Sequence, residues 1–356
     1  MADFLIVGGG IAGLSAGARL ATMGRVVVLE GETVLGFHSS GRSAALFEED
    51  YGAPATVACA HASGPELARL GVLSPRGFLL VGQAHERAAF EADAEALKMT
   101  VIPPAEARAM VPILHPEKLA LAGYTDAAQD IDTDLLMQIY ARAIRAAGGE
   151  IRTGAPVTAI ARGAEGWTVT AGGAEIRGRI LVNAAGAWAD RLAALAGLPG
   201  VGLTPMRRSM AQIPAPEGLD SAGWPMVIGA GETWYMKPQA GKLLVSPADE
   251  DPVEPHDAWA DDMVLAEGLA RFEEMTTMTV TRLETSWAGL RSFAPDRTLV
   301  LGPDPRDPGF AWCAGQGGQG FLSAPGSAAV LAEMLGGPAS GQPEAVLQAL
   351  SVARFR

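Results

Sequence analysis

The sequence contains few cysteines and no long apolar segment. Cys59 and Cys313 are its only thiols and lie far apart, so a disulfide framework has no support and both are expected to be buried. No run reaches the roughly 18 uninterrupted apolar residues that a membrane-spanning helix needs. The opening MADFLIVGGG has no basic leader and no small-residue cleavage site. We therefore expect a cytoplasmic protein without an integral membrane segment.

Positive charge and metal-ligand patterns are also scarce. The 27 Lys and Arg against 40 Asp and Glu leave a net charge of -13, which repels a phosphodiester backbone, so nucleic acid is not an expected partner. The sequence has no HExxH and no paired Cys and His, so no metal is inferred. At 356 residues the chain exceeds one average core. Two domains that share a ligand crevice are therefore expected.

The first thirty residues follow the pattern strand, glycine turn, helix, strand. FLIV and RVVVLE are continuous apolar runs, typical of parallel strands buried on both faces. Between them, Gly8 suits the tight turn, Gly10 lets the backbone approach a pyrophosphate, and Gly13 permits close helix packing. Glu30 ends the second strand, where a carboxylate accepts from ribose hydroxyls. The pattern predicts a dinucleotide site rather than an ordinary glycine-rich turn, but it does not separate NAD from FAD.

A second glycine cluster favours FAD. Its glycines are Gly315, Gly317, Gly318 and Gly320, and a helix is predicted to begin at Ser323. A loop and helix N-terminus of this kind suit a flavin ring, whose pyrimidine carbonyl takes on negative charge when it is reduced. The alternative is a tight turn between strand and helix. NAAGAW, at residues 183–188, provides a third turn of small residues at the end of a strand.

The remaining patterns predict an α/β plus antiparallel β fold. ILVN in the middle of the chain and TLVLGP near its end read as strands that join the first two, whereas WYMKP and KLLVSPA alternate as antiparallel strands do. We predict a Rossmann-like FAD-binding domain formed by residues 1–50, 130–200 and 288–356. A second α+β domain, for the substrate, is predicted at residues 51–129 and 201–287.

The motif order GGGIAG, HSSGRSAA, LVNAAGAWAD, WAGLR and GQGGQGF resembles the D-amino-acid oxidase family of flavoproteins, which includes glycine oxidase and sarcosine oxidase. The resemblance covers nearly the whole chain, and details such as VLSPR, MRRS and WPM are most similar to bacterial D-arginine dehydrogenase. It implies a D-amino-acid-oxidase-like fold, bound FAD, and hydride transfer from the substrate α-carbon to the flavin. The imino acid released would hydrolyse to a 2-oxo acid and ammonia.

The resemblance also implies a set of cofactor-binding residues. They are Gly8, Gly10, Ile11, Ala12, Gly13, Glu30, His38, Ser39, Ser40, Gly41, Arg42, Ser43, Ala185, Gly186, Trp188, Gly315, Gly317, Gly318, Gly320 and Phe321. For His38 a structural hydrogen bond is an alternative role. Sarcosine oxidases tether their flavin through a cysteine before the late Pro-Asp turn, but GLRSFAP, at residues 289–295, has none. The FAD is therefore expected to be non-covalent.

The substrate site is predicted around two arginines, because a planar guanidinium binds a carboxylate with two hydrogen bonds. Arg291 and Arg208 match the family's carboxylate-binding positions, although Arg207 could face inward instead of Arg208. The other predicted lining residues are Tyr51, Tyr235, Phe78, Met226, Ile228 and Gly318. Each tyrosine could equally serve only packing. No acid or base is assigned, because hydride transfer depends mainly on a neutral amine and a held α-carbon.

The side-chain specificity has two readings. Phe78 stands where D-arginine dehydrogenase has a glutamate, and Leu46 and Glu48 replace its histidine and threonine. An aromatic ring covers apolar side chains and gives a buried cation no compensation, which favours apolar or uncharged D-amino acids. Against this, the acidic run from Glu48 to Asp50 could restore a cation site, although such runs commonly form a solvated loop face.

We therefore predict an FAD-dependent dehydrogenase or oxidase that deaminates a small amino acid, with a D-amino acid favoured. One alternative is an oxidase of secondary amines or 2-hydroxy acids in the same family. A different class is a structural or RNA-modifying flavoprotein, which the net charge of -13 disfavours. The residues do not distinguish oxygen from a quinone as electron acceptor.

Overall fold

The computed structural model describes residues 1–356. Its α-helices are α1 Ile11–Leu20, α2 Pro54–Arg69, α3 Arg87–Ala96, α4 Pro104–Met110, α5 Thr133–Ala146, α6 Ala189–Leu195, α7 Asp262–Met275, α8 Ala324–Met334 and α9 Glu344–Leu350. Short 3-10 turns include Ser39–Arg42, Gly186–Trp188 and Ala230–Glu232. None of the helices has the length and apolar character that crossing a bilayer requires.

The first ten β-strands are β1 Ala2–Val7, β2 Val26–Leu29, β3 Leu46–Phe47, β4 Leu73–Pro75, β5 Phe78–Gly82, β6 Thr100–Val101, β7 Leu121–Thr125, β8 Gln129–Ile131, β9 Glu150–Arg152 and β10 Val157–Gly163. The other ten are β11 Gly166–Ala171, β12 Ala174–Asn183, β13 Thr204–Pro214, β14 Met226–Gly229, β15 Tyr235–Gln239, β16 Lys242–Ser246, β17 Asp251–Pro252, β18 Thr285–Phe293, β19 Val300–Asp304 and β20 Asp307–Ala314. They form three sheets.

The first sheet has eight strands and places the predicted glycine turn. Its order is β10-β11-β12-β1-β2-β9, with β20 on the second half of β12 and β19 beside β20. β1 pairs in parallel with β2 and β12, so that Val7 lies beside both Leu29 and Asn183. The carboxyl ends of these three strands therefore meet at one edge of the sheet. Apolar side chains cover both faces, as the continuous apolar runs predicted.

The second sheet has nine strands in the order β17-β13-β16-β15-β14-β5-β7-β6, with β18 also paired to β13. Its pairs are antiparallel except for β5 and β14, where Phe78 lies beside Met226. A small third sheet joins β3, β8 and β4. The predicted α/β plus antiparallel β class is confirmed by these sheets.

Two segments, α2 and β18, contact elements that the sequence assigned to the other domain. The domain boundaries themselves stay a prediction. α2, assigned by sequence to the substrate segments, packs on α8, and its Cys59 and Leu67 lie in the core of the first sheet. β18 crosses the predicted boundary at residue 288 as one continuous strand of the second sheet. An amphipathic helix or an alternating strand shows which of its faces is buried, but not against which sheet.

Candidate active site

A glycine turn at the edge of the first sheet opens a groove between β1 and α1. Gly8 has φ +117°, and a Cβ there would lie 2.1 Å from the Ala184 carbonyl oxygen. A Cβ on Gly13 would lie 1.9 Å from the Gly8 carbonyl oxygen. Only glycine permits this approach of the α1 backbone to β1 and β12. The turn therefore has the close packing that a pyrophosphate-binding loop requires.

One cavity of about 490 Å³ lies at the carboxyl ends of β1 and β2. Glu30 lies in its wall, where Oε2 accepts from the Gly9 N–H at 2.6 Å and Oε1 accepts from the Glu32 N–H at 2.9 Å. These bonds fix the carboxylate at the strand end, which is the position expected for contact with ribose hydroxyls. The cavity size and its carboxylate fit the adenosine half of a dinucleotide.

A second cavity of about 150 Å³ shares Gly10, Ser39 and Gly186 with the first. Its wall also includes Gly317 and Gly318 from the late glycine loop. Gly317 has φ +52°, and a Cβ there would lie 2.3 Å from the ring of Phe293. Three distant parts of the chain thus line one continuous groove with backbone and small side chains. These residues fit an FAD laid across both cavities.

The loop between β2 and β3 is braced by its own polar side chains. Ser40 Oγ accepts from the Ile11 N–H at 3.0 Å, and Ser39 Oγ donates to the Leu290 carbonyl at 2.6 Å. Arg42 donates to the carbonyls of Ala258 and Ala288 at 2.8 and 2.9 Å and pairs with Asp257. Arg42 therefore ties the loop to neighbouring segments, although it also lines the second cavity.

His38 makes a hydrogen-bonding contact within the protein, which was the alternative role predicted for it. Its Nε2 lies 3.0 Å from Glu32 Oε1, and its ring lies 4.6 Å from that of Trp188. Both rings also line the first cavity. A structural role and a cofactor-binding role are thus compatible for His38.

Most of the predicted cofactor residues line one of the two cavities. Those that do are Gly8, Gly10, Ile11, Ala12, Glu30, His38, Ser39, Ser40, Arg42, Ser43, Ala185, Gly186, Trp188, Gly317, Gly318, Gly320 and Phe321. Gly13, Gly41 and Gly315 do not line either cavity and shape the backbone behind it. Sequence reasoning missed Ala44, Met210, Ser292 and Gln316 in the wall. Gln316 could have been inferred, since it stands inside the glycine cluster.

A third cavity of about 90 Å³ adjoins the second and shares Arg291, Tyr235 and Gly318 with it. The third cavity brings together all eight predicted substrate residues, namely Tyr51, Phe78, Arg208, Met226, Ile228, Tyr235, Arg291 and Gly318. This volume is well above the roughly 10–15 Å³ that a cavity needs to hold one water molecule. We call it the substrate cavity.

The two arginines of the substrate cavity differ in their partners. Arg208 Nη2 pairs with Glu250 at 3.0 Å, and its buried Nε has no partner. Arg207 pairs instead with Asp249 and Asp251 and does not line the cavity. Strand alternation thus places the second arginine of MRRS, and not the first, in the cavity wall.

Arg291 has no carboxylate partner in its own chain. Burial lowers the pKa of Arg291, but its electrostatic interactions with Tyr51, Tyr235 and Glu232 outweigh that effect, so its pKa is raised overall. A charged guanidinium without an ion pair, beside Gly318, is arranged to receive an anion.

Two carboxylates in the substrate cavity lie outside the predicted set of lining residues, although the sequence left open a cation site in the acidic run from Glu48 to Asp50. Glu232 lines it, has φ +53°, and accepts from the Tyr51 hydroxyl at 3.3 Å. Glu48 lines it with only 5% of its surface exposed, so the interpretation of the acidic run as a solvated face is wrong at this residue. Burial raises the pKa of Tyr51, which keeps its phenol protonated at neutral pH. The burial of Glu48 could have been inferred from its position directly after the apolar pair Leu46 and Phe47.

Acid precipitation should release all of the flavin as FAD. Cys59 and Cys313 line neither cofactor cavity, and burial raises the pKa of both thiols to about 12. A buried, protonated thiol is a poor nucleophile toward a flavin ring. The measurement is chromatography of the supernatant after acid treatment, with the absorbance of the washed pellet as control. Yellow colour that stays with the pellet would show a covalent link.

The geometry agrees with comparisons to known proteins. Residues 3–334 match the profile of the FAD dependent oxidoreductase family, DAO. Glycine oxidase of Geobacillus kaustophilus strain HTA426 is 26% identical over 235 residues, which are 65% of this chain and 60% of that protein. The match thus spans less than two thirds of this relative's length. The crystal structure of glycine oxidase from Geobacillus kaustophilus superposes with a TM-score of 0.80 at 24% identity, covering 94% of each chain.

Two other solved structures share the fold at lower identity. L-proline dehydrogenase from P. horikoshii has a TM-score of 0.84 at 20% identity, covering 99% of this chain and 97% of that chain. L-alpha-glycerophosphate oxidase from Mycoplasma pneumoniae, solved with FAD bound, has a TM-score of 0.83 at 18% identity, covering 96% and 97%. The family match covers nearly the whole chain and includes the glycine turn, the groove and the late glycine loop. The chain belongs to the family of FAD dependent oxidoreductases, and FAD is its cofactor.

Proposed function

We propose that this protein oxidises the carbon–nitrogen bond of a small D-amino acid. The observation that carries the proposal is the substrate cavity, where Arg291, without an ion pair, lies beside Gly318 and next to the flavin half of the groove. An amino acid offers a carboxylate that fits such a guanidinium. The D configuration is supported by the resemblance of VLSPR, MRRS and WPM to D-arginine dehydrogenase.

The residues of the cavity would hold the substrate from two sides. Arg291 binds the carboxylate, and the protonated phenol of Tyr51 is able to donate a hydrogen bond to it. Met226 and Ile228 form an apolar wall that excludes water from the α-carbon. Holding the reacting atoms in this way accelerates a reaction by positioning.

When bound, FAD supplies a two-electron acceptor for the hydride that leaves the α-carbon. The chain provides no histidine in the substrate cavity, and no side chain is assigned as acid or base. The amine must enter, or become, neutral before the hydride leaves. The imino acid formed would then be hydrolysed by water to a 2-oxo acid and ammonia.

A secondary amine is a second candidate substrate class. The wall formed by Phe78, Met226 and Ile228 also suits an apolar substituent on the nitrogen. L-proline dehydrogenase, whose fold this chain shares, acts on such an amine. Both candidates use the same guanidinium for the carboxylate.

Anaerobic mixing of the purified protein with amino acids tests the proposal. The panel pairs the D and L forms of each amino acid and adds proline and sarcosine. We expect D-amino acids to bleach the yellow absorption of the bound flavin, and their L enantiomers, as matched controls, to leave it unchanged. Bleaching by secondary amines alone would favour the second candidate. If only L-amino acids or 2-hydroxy acids bleach the flavin, the proposal is wrong.

A further inference from the structure

Glu48 is a buried carboxylate in the wall of the substrate cavity that no other side chain neutralises. It follows β3 and is 5% exposed. Its Oε1 accepts from the Asp50 N–H at 3.3 Å, whereas the buried Oε2 has no partner. Buried polar atoms in proteins nearly always have a hydrogen-bond partner, so an unpaired carboxylate oxygen beside a cavity indicates that a ligand completes it.

The rest of the acidic run is accounted for by other contacts. Asp50 accepts from Lys98 Nζ at 2.7 Å and lies 3.0 Å from His61 Nε2. Glu49 is half-buried and does not line the cavity. Only Glu48, of the three acids, therefore lies in the wall of the substrate cavity.

Glu48 and Arg291 lie in different parts of the cavity wall. Arg291 lies on the side that adjoins the cofactor groove, because it lines both the second cavity and the substrate cavity. Glu48 lines the substrate cavity but not the second cavity. A substrate whose carboxylate binds Arg291 would therefore reach Glu48 with its side chain. Leu46 and Phe78 line the same cavity as Glu48 and belong to one apolar cluster.

We propose that Glu48 is a specificity-determining residue whose carboxylate pairs with a cationic group at the end of the substrate side chain. Phe78 then packs along the methylene groups that precede this group. The inference rests on the proposed function for the chemistry at the α-carbon, and it replaces the preference for apolar side chains that Phe78 alone predicted. A basic D-amino acid is the substrate class that follows.

The charge state of Glu48 gives the proposal a pH signature. Burial raises the pKa of Glu48 to about 7, the N–H of Asp50 opposes this, the charges of Asp50 and Glu49 add to it, and Lys98 lowers it. The carboxyl is thus neutral below about pH 7 and becomes anionic above it. Attraction to a cation should increase as the pH rises through this value. The other ionisable groups that line the cavity are Tyr51, Arg208, Glu232, Tyr235 and Arg291.

D-lysine and D-norleucine form the matched substrate pair, because they differ only by the terminal ammonium group. Any effect of pH on the α-amine or on Arg291 acts on both and cancels in the ratio of their kcat/KM values. For the wild type we expect a ratio of at least about ten above pH 8, which falls as the pH is lowered through 7.

Glu48→Gln should reduce this ratio at least about tenfold, through a larger loss of kcat/KM for D-lysine than for D-norleucine, and make the ratio independent of pH. Glu49→Gln is the matched control and should keep the wild-type profile. A wild type that prefers D-norleucine would overturn the inference. So would a Glu48→Gln variant, with normal FAD content, that affects both substrates equally.

A binding measurement separates this inference from the proposed function. 6-Aminohexanoate and hexanoate carry the same carboxylate and chain but no α-amine, so neither is deaminated at the α-carbon. Titration followed by tryptophan fluorescence should show tighter binding of 6-aminohexanoate to the wild type and no such preference in Glu48→Gln. If this holds while no D-amino acid bleaches the flavin, the proposed function fails and the role of Glu48 stands. If D-amino acids are oxidised but the wild type binds 6-aminohexanoate no more tightly than Glu48→Gln does, the inference about Glu48 fails and the proposed function stands.

Discussion

Arg291→Met should lower kcat/KM for the best amino-acid substrate at least tenfold, and about a hundredfold if the pair with the carboxylate is fully desolvated. A hydrogen bond to a charged group contributes about 1.5–3 kcal/mol, and each 1.4 kcal/mol is a factor of ten. Arg208 is not free to take over, because it already pairs with Glu250. The measurement is steady-state kinetics over a range of substrate concentrations with the FAD content checked.

Arg145→Met is the control for this substitution, because Arg145 is an exposed residue on α5. It should leave kcat/KM and FAD content unchanged. Arg291→Lys keeps the charge but loses the planar two-point contact, so an intermediate value is expected. Unchanged turnover in Arg291→Met would show that Arg291 does not bind the carboxylate.

Gly13→Ala should abolish most FAD binding and lower the melting temperature by several degrees. Gly13 lies inside α1 at a negative φ, where alanine favours the helix by about 1 kcal/mol, so backbone preference cannot cause a loss. The added Cβ would lie 1.9 Å from the Gly8 carbonyl oxygen. α1 must therefore move away from β1 and the turn that faces the pyrophosphate, and overpacking of this kind costs about 1–3 kcal/mol.

The ratio of flavin to protein absorbance and a thermal melt measure both effects of Gly13→Ala. Gly223→Ala is the matched control, because Gly223 is exposed and a Cβ there would meet nothing within 4 Å. It should bind FAD as the wild type does. Full FAD occupancy in Gly13→Ala would mean that α1 can shift without disturbing the groove.

The cofactor groove was predictable because the main chain approaches the cofactor closely there. Such an approach requires glycine, and glycines are visible in the sequence. Gly8, Gly10 and Gly317 reveal their positions by the absence of a side chain, and each stands in a loop that follows a strand of the first sheet. Tertiary context was not predictable in the same way. The packing of α2 on α8 depends on which sheet an amphipathic face meets, and the sequence pattern does not contain that information.

In the substrate cavity, the sequence predicted best those residues whose chemistry suits one role, such as an arginine that binds a carboxylate. An arginine binds a carboxylate wherever it faces inward, and alternation along β13 decided between Arg207 and Arg208 only once the strand was placed. Glu48 and Glu232 were harder, because an acidic residue in a loop is usually solvated. Glu48 is buried and Glu232 is half-buried where the loop after β3 meets the turn after β14. The Tyr51–Glu232 hydrogen bond joins these segments across 181 residues of chain, which no local pattern shows.

The parallel partners of β1 also affect how the protein is made. Ala2–Val7 is synthesised well before one of its neighbours, β12, which follows some 170 residues later, and the late glycine loop after β20 is later still. At about 5–20 residues per second, this apolar strand waits on the order of tens of seconds for the chain that covers it. During that interval β2 is the only one of the two neighbours of β1 with which it is able to pair. The groove for FAD is complete only once the late glycine loop has been made, so FAD binding must follow the synthesis of β1 by some 300 residues.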